Sequence, residues 1–156
     1  MQVSIEPATT AAQYQAGAEI FKAYARFLGF DLEFQGFTKE LATLQDMYGP
    51  PNGCLLLAKE GACPIGAVGL REFAPGVAEM KRMFVLERHQ GKGAGKQLME
   101  SFLAKARELG YRSIKLDSIR TLDKALGLYR QFGFVEIEPY RYNPHPEAVY
   151  MECRLF

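Results

Sequence analysis

Three glycines and two lysines stand close together in the segment QGKGAGK, which spans residues 90–96. Glycine has no Cβ, so it lets the backbone take a positive φ and come close to a ligand. A strand-like pattern precedes the segment and a helical pattern follows it, which places its N–H groups at the positive end of a helix dipole. Free N–H groups and lysines bind phosphate, so the segment predicts a phosphate-binding turn. The residues assigned to it are Gln90, Gly91, Lys92, Gly93, Ala94, Gly95 and Lys96.

Two common nucleotide-binding patterns do not fit this turn. The P-loop pattern GxxxxGK[ST] fails because Gln97 follows Lys96 and because the glycines are too closely spaced. The dinucleotide pattern GxGxxG fails because the glycines read GxGxG. From the residues alone, a tight turn in an ordinary strand–helix unit remains the alternative to a ligand site.

The segment resembles the acetyl-CoA-binding motif of the GNAT family of N-acetyltransferases. That motif is Gln or Arg, two residues, Gly, one residue, and then Gly or Ala, and Gln90, Gly93 and Gly95 meet it here. A second segment, ALGLYRQFGF at residues 125–134, is also similar to the family. The likeness runs from Cys54 to Phe156, whereas the N-terminal third agrees only in outline.

The resemblance implies one α/β domain over residues 1–156 with the acyl-CoA N-acyltransferase fold, in which helices flank a mixed, mostly antiparallel central sheet. The hydrophobic pattern is consistent with that fold. Strands are expected at Val3–Glu6, Cys54–Lys59, Ile65–Leu70, Ala78–Leu86, Ser113–Asp117, Phe134–Ile137 and Ala148–Leu155. Helices are expected at Ala11–Leu28, from Thr38 to before Gly49, from the glycine turn to Leu109, and at Leu122–Phe132. We expect Ser113–Asp117 to run parallel to Ala78–Leu86, because a strand–helix–strand unit defaults to that arrangement.

The resemblance also implies an activity, the transfer of an acetyl group from acetyl-CoA to an amine by direct attack in a ternary complex. A small-molecule amine is the favoured acceptor, because the formal net charge of +1 indicates no large charged partner. A polyamine, an amino acid, an aminoglycoside-like drug and a protein N-terminus all stay open. The competing interpretation is a non-catalytic module that binds or senses acyl-CoA with the same fold. A third interpretation is a nucleotide-binding enzyme whose glycine turn only looks like the acetyl-CoA motif.

Two residues take catalytic roles by resemblance. Glu79 lies eleven residues before Gln90, where some family members place a general base, and an amine does need to lose a proton before it attacks. Its alternatives are an ion pair with Lys81 or Arg82, or the binding of a cationic substrate. Tyr129 holds the position of a tyrosine that protonates the leaving thiolate, although a helix tyrosine is by default a packing residue. Leu122 replaces an asparagine that contacts the cofactor in many members, which puts the contacts of that helix in doubt.

The strand before the turn is expected to hold the cofactor through its backbone. By resemblance, Met83, Phe84 and Val85 pair with the pantetheine amides like an added strand. Arg82 is expected either to reach a phosphate or to be a solvated charge.

The proline-rich segment 138–146, together with aromatic residues of the N-terminal third, predicts an acceptor pocket of aromatic character, with a rigid surface crossover as the alternative. Those aromatic residues are Phe27, Phe30, Phe34 and Phe37.

The net charge, the hydropathy and the cysteine and histidine positions restrict the kinds of partner and ligand that this chain is expected to bind. The near-neutral charge argues against nucleic acid, and no apolar run approaches the length of a membrane helix. Three scattered cysteines without a signal peptide predict reduced, buried, inert thiols in a cytoplasmic protein. Neither the cysteines nor His89 and His145 show metal-ligand spacing, so no metal site is expected. The oligomeric state stays open, with a homodimer as one option.

Overall fold

The structure is a computed structural model and describes residues 2–156. Its strands are β1 Val3–Pro7, β2 Cys54–Glu60, β3 Cys63–Ala74, β4 Val77–Val85, β5 Ser113–Ile119, β6 Val135–Ile137 and β7 Ala148–Arg154. Its α-helices are α1 Ala11–Leu28, α2 Phe37–Ala42, α3 Leu44–Met47, α4 Ala94–Glu108 and α5 Asp123–Gln131, and short 3₁₀ turns cover Glu33–Gln35 and Glu87–His89. Within residues 2–156, no helix combines the length and the hydropathy that a bilayer crossing requires.

The strands form one sheet in the order β1-β2-β3-β4-β5-β7-β6. Every neighbouring pair is antiparallel except β4 and β5, which are parallel. One face of the sheet packs against α1, and the other packs against α4 through Leu98, Phe102 and Ala106, which are fully buried. The predicted mixed, mostly antiparallel sheet with flanking helices is therefore confirmed.

Local signals in the sequence explain the two long helices. Thr10 begins α1 with a capping box, because its side chain accepts a hydrogen bond from the Gln13 backbone and the Gln13 side chain accepts one from the Thr10 backbone. Gly29 ends α1 in the left-handed conformation, with φ of 76°. Helix α4 follows Gly93, which has φ of 86°.

The parallel strands β4 and β5 stay together for only three residue pairs. Val77–Glu79 pair with Ser113–Lys115, and beyond this point the two strands diverge. A β-bulge accompanies the divergence: the register of β3 and β4 shifts, and Arg82 takes a left-handed φ of 60°. An extra residue on one strand bends it and increases its twist. The expected parallel pairing is correct in direction, but the bend limits it to the start of β4.

Most element boundaries lie within two residues of the sequence-based expectation, and two elements differ by more. The helix expected from Thr38 is broken at Thr43, whose hydroxyl donates to the Lys39 carbonyl oxygen (2.8 Å). Such a side-chain bond gives the backbone an alternative to continuing the helix. Strand β3 is also longer than the predicted Ile65–Leu70, because its partner β4 runs alongside it as far as Ala74.

Candidate active site

The divergence of β4 and β5 opens a cleft of about 610 Å³ on the side of the glycine turn. Strand β4 forms one wall, the start of α5 forms the other, and the start of α4 closes one end. Among residues 2–156, the side of β4 that faces the cleft has no partner strand after Glu79. The residues that line the cleft include Tyr24, Met83, Phe84, Val85, Gln90, Gly91, Ala94, Gly95, Leu122 and Tyr129.

The glycine turn presents a set of free N–H groups at the end of this cleft. Gly91 and Gly93 both have positive φ, 84° and 86°, which allows the chain to turn into α4. The first N–H of this region with a backbone acceptor is that of Gln97, which donates to Gly93 (3.0 Å). Within residues 2–156, the N–H groups of residues 91–96 have no such acceptor. They converge at a helix N-terminus, where a phosphate would bind.

Two of the three polar side chains of the turn, Gln90 and Lys92, take separate roles. Gln90 donates from Nε2 to the carbonyl oxygen of Val85 (2.8 Å), which ties the turn to the end of β4. Lys92 forms an ion pair with Glu60 (3.1 Å), the last residue of β2, and its own side chain is half-exposed. Gly91 lines the cleft, whereas Lys92 and Gly93 do not.

The unpaired edge of β4 is fixed by aromatic packing. The Phe84 ring lies against Tyr24 (ring centroids 5.5 Å apart) and Phe27 (5.2 Å apart), both from α1. These contacts hold Met83–Val85 in place through side chains, and of the backbone groups on this segment the Val85 carbonyl oxygen also accepts the hydrogen bond from Gln90. An extended ligand could therefore pair with this edge as a strand would.

Tyr129 reaches the same cleft from α5. Its side chain is buried, and its ring packs against Phe134 (ring centroids 5.9 Å apart). Burial, with a smaller effect from Tyr24, raises the pKa of Tyr129, so the phenol stays protonated at neutral pH. Its hydroxyl has no hydrogen-bond partner within residues 2–156 and remains available to a ligand. Leu122, at the start of α5, lines the cleft without capping the helix.

Glu79 lies outside the cleft lining and is bound by two arginines. Its side chain is fully buried; Arg71 donates to Oε1 (2.9 Å), and Arg141 and Tyr140 donate to Oε2, the latter at 2.8 Å. Burial by itself raises the pKa of Glu79, but Lys81, Arg141 and Arg71 outweigh it, so the net pKa is lowered. A carboxylate with a lowered pKa is a weak proton acceptor, so this environment gives little support to the predicted role of Glu79 as a general base. The alternative of an ion pair is correct in kind, but the salt-bridge partners are Arg71 and Arg141 and not Lys81 or Arg82.

Arg82 is neither a phosphate ligand nor a solvated charge, which corrects both expectations. Its guanidinium is buried and donates twice to Glu40 of α2, at 3.0 and 3.2 Å. Tyr48 donates to the same carboxylate (2.9 Å), and the Phe37 ring lies under the guanidinium. These contacts anchor the bulge of β4 to α2, which offsets the strain of a left-handed non-glycine residue.

A second, smaller cavity of about 30 Å³ continues the divergence on the α1 face of the sheet. Lys81 donates to Gln35 Oε1 (2.9 Å), and the Gln35 amide donates to Asp117 Oδ2 (3.0 Å). Asn143 donates to the same oxygen (3.0 Å). Tyr24 lines both cavities, so they meet at its ring. Sequence reasoning missed this group, because its members come from four separate segments and carry no local motif.

The proline-rich segment and the N-terminal aromatic residues do lie together at this cavity. Phe30 stacks with His145 (4.8 Å between ring centroids), and Phe34 meets Tyr142 (6.5 Å). Phe30 and Phe34 line the small cavity, Phe27 lines the large cleft, and Phe37 packs on Arg82 instead. The segment is thus placed as the expected acceptor pocket requires, and its role there stays a prediction.

The cysteines take no part in either cavity. Cys54 and Cys153 are buried, whereas Cys63 is exposed, so the expectation that all three are buried is wrong for Cys63. All three are free thiols. In the part of the chain that the structure describes, no group of three or more potential ligands is placed to hold a metal ion.

Comparison with known proteins agrees with this geometry. Residues 18–134 match the acetyltransferase (GNAT) family. An uncharacterized N-acetyltransferase of Schizosaccharomyces pombe is 38% identical over 138 residues, which are 87% of this chain and 85% of that protein. The solved structure of a GNAT acetyltransferase from Staphylococcus aureus Mu50 superposes with a TM-score of 0.82 at 19% identity and covers 99% of this chain and 100% of its own. PaiA N-acetyltransferase of Thermoplasma acidophilum, solved in complex with coenzyme A, superposes with a TM-score of 0.75 at 17% identity, and the match covers 99% of each chain.

Proposed function

The chain belongs to the acetyltransferase (GNAT) family, and on that premise we propose that it transfers an acetyl group from acetyl-CoA to the amine of a small-molecule acceptor. The observation that carries this proposal is the cleft between β4 and β5. One end presents free N–H groups, its wall is an unpaired strand edge, and Tyr129 lies on its far wall. These features match the three parts of an acyl-CoA, which are a pyrophosphate, a chain of amides and a thioester.

We propose that the cofactor binds mainly through backbone groups. The pyrophosphate accepts hydrogen bonds from the N–H groups of residues 91–96, where the helix dipole also favours a negative charge. The pantetheine amides pair with the backbone of Met83–Val85, which no strand occupies on that side. The thioester then lies near the point where the cleft meets the smaller cavity at Tyr24.

Transfer needs no covalent enzyme intermediate in this arrangement. The neutral amine attacks the thioester carbonyl, a C–N bond forms, and the C–S bond breaks as the thiolate leaves. Tyr129 donates its proton to the thiolate, because its phenol is protonated and its hydroxyl is free. The proton lost by the amine goes to water in the open cleft, and water returns a proton to the Tyr129 phenolate, whose pKa is raised. Glu79 serves instead as the anchor of Arg141 and Tyr140, which hold the proline-rich segment in place.

A second candidate function is a module that binds acyl-CoA without catalysis. Leu122 favours it, because this apolar side chain stands at the cleft where many members of the family have a polar cofactor contact. The hydroxyl of Tyr129 favours the enzyme, since it is free of protein partners within residues 2–156 and belongs to a residue that lines the cleft.

Calorimetric titration with acetyl-CoA, CoA and Mg-ATP, followed by an assay of thiol release with a panel of amines, separates these functions. The enzyme binds acetyl-CoA and releases CoA thiol only when an amine is present. Binding without amine-dependent release would identify the module. Binding of Mg-ATP in preference to acetyl-CoA would refute both candidate functions and would indicate that the glycine turn binds a nucleotide.

A further inference from the structure

The smaller cavity lies where the acceptor of the proposed reaction must lie, and its charges indicate what the acceptor is. On β4, residues 80–82 line this cavity and residues 83–85 line the cofactor cleft. On the opposite wall, residues 117–119 line the cavity and residues 121–125 line the cleft. The two spaces are therefore successive parts of one opening, and a molecule in the smaller one is adjacent to the thioester end of the larger one.

Lys81 is a buried cation of this cavity that forms no salt bridge with a carboxylate of residues 2–156, although Glu79 and Asp117 are near enough to act on its pKa in the raising direction. Its side chain is only 4% exposed, and its ammonium donates to the neutral amide of Gln35. The arginines around it are paired, Arg82 with Glu40, and Arg71 and Arg141 with Glu79. Burial, and then the nearby Arg82, lower the pKa of Lys81 to about 8. A bound anion would compensate the cost of this buried charge.

Asp117 is the corresponding anion. Its Oδ2 accepts hydrogen bonds from the amides of Gln35 and Asn143, and no lysine or arginine of residues 2–156 forms a salt bridge with it. The Gln35 amide therefore joins the two charges, with its oxygen on Lys81 and its nitrogen on Asp117. A ligand that takes its place needs the same polarity: a negative group at Lys81 and a donor at Asp117.

We propose that the acceptor is an amino carboxylate of the α-amino-acid type, whose carboxylate binds Lys81 and whose amine is positioned by Asp117. This inference rests on the proposed function. The cavity of about 30 Å³ holds little more than one water, so the acceptor enters by displacing the Gln35 side chain. Gln35 lies in a short 3₁₀ turn before Gly36 and is only half-buried, so this displacement disturbs no core packing. The remaining lining suits an apolar or aromatic side chain, since it includes Leu28, Phe30, Leu32, Phe34 and Met80.

The test compares three forms of the same acceptor on the wild-type protein: phenylalanine, phenylalaninamide and phenethylamine, with leucine and its two counterparts as a second set. A hydrogen bond to a charged group contributes about 1.5–3 kcal/mol, so the free amino acids should exceed their amides and decarboxylated amines about tenfold or more in kcat/KM. Equal or better activity with the amides and amines overturns the inference and leaves the acetyltransferase intact. Thiol release with other small amines but with no member of this panel also overturns the inference, whereas thiol release with no amine at all refutes the proposed function.

Lys81→Met then assigns the effect to one residue. This variant keeps the length and burial of the side chain and removes its charge. We expect kcat/KM for the free amino acid to fall about tenfold or more, mainly through KM, and kcat/KM for the amide to change less than about twofold. CoA affinity measured by calorimetry should stay at the wild-type value, and the exposed Lys39→Met provides the matched control. An equal loss for amino acid and amide would contradict a carboxylate at Lys81.

Discussion

Replacing Glu79 by Gln distinguishes the two roles that this residue can have. The substitution keeps the shape of the side chain and removes the charge that Arg71 and Arg141 share. If Glu79 is an anchor, two guanidinium groups lose their buried counter-charge and the fold is destabilised. If Glu79 is a general base, stability stays nearly constant and kcat falls.

The size of the destabilisation follows from the burial of the partners. Removing one member of a buried ion pair costs about 3–5 kcal/mol, but the two arginine side chains are 29% and 19% exposed, so water recovers part of this loss. We expect the free energy of unfolding to fall by about 2–4 kcal/mol, discounted from that range for exposure. For a domain of this size that change lowers Tm by about 5–15 °C.

The pH dependence has a definite sign. The pKa of Glu79 is lower in the folded than in the unfolded protein, so its contribution to stability is fully present above the unfolded pKa. The contribution disappears as pH falls through the folded pKa. The stability difference between wild type and Glu79→Gln should therefore be largest near pH 7 and should narrow below about pH 4, near the ordinary glutamate pKa.

Urea unfolding at several pH values measures this difference, with Glu72→Gln as the control because Glu72 is exposed on the neighbouring strand. The control should change the free energy of unfolding by less than about 0.5 kcal/mol. A Glu79→Gln protein with wild-type stability and a kcat lowered by about 10²-fold or more would refute the anchoring role and restore the general base.

Three further predictions concern the cofactor site and the bulge. Gly93→Val should raise the Kd for CoA about tenfold or more, since the valine side chain is strained at φ of 86° and covers the N–H groups. Gly110→Val is the control, because Gly110 has φ of 88° beyond the other end of α4, and this variant should leave the Kd for CoA unchanged. Equal effects of the two variants would refute the phosphate site. Tyr129→Phe should lower kcat about 10- to 100-fold and leave Tm unchanged. The decrease in kcat should become smaller as pH rises above about 8.5, the usual thiol pKa. A decrease that is equal at every pH would indicate that Tyr129 positions the thioester rather than donates a proton. Glu40→Gln should lower the free energy of unfolding by about 3 kcal/mol in urea, because Arg82 is left buried without its counter-charge, and a change below about 0.5 kcal/mol would contradict that anchoring.

The fold was largely predictable because its signals are local. The boundaries of α1 follow from Thr10 and Gly29, and the turn into α4 follows from the glycines, each of which acts within a few residues. The break at Thr43 was not predictable with the same certainty, because a threonine hydroxyl can either point to solvent or bond to the preceding turn. The family resemblance, carried by Gln90, Gly93 and Gly95, is confirmed.

The proposed acceptor site was not predictable, because its contacts join distant parts of the chain. Lys81 and Gln35 are 46 residues apart, and Gln35 and Asp117 are 82 residues apart. No spacing rule relates such positions, and each residue taken alone looks like a solvated surface group. The same reason explains why Glu79 was matched with its sequence neighbours and not with Arg141. The catalytic roles of Glu79 and Tyr129 stay predictions.

The bulge at Arg82 also separates the molecule into two regions that can change independently. Beyond Arg82, β4 contributes to the cofactor cleft; up to and including Arg82, it contributes to the acceptor cavity. Two further parts of the cavity wall, the turn around Gln35 and Asn143 of the proline-rich segment, belong to irregular chain that is attached to the sheet by a few polar contacts. Grafting these two segments from a relative should transfer acceptor preference while the cofactor machinery is inherited intact. Evolution could diversify substrates by the same route, with the glycine turn left untouched.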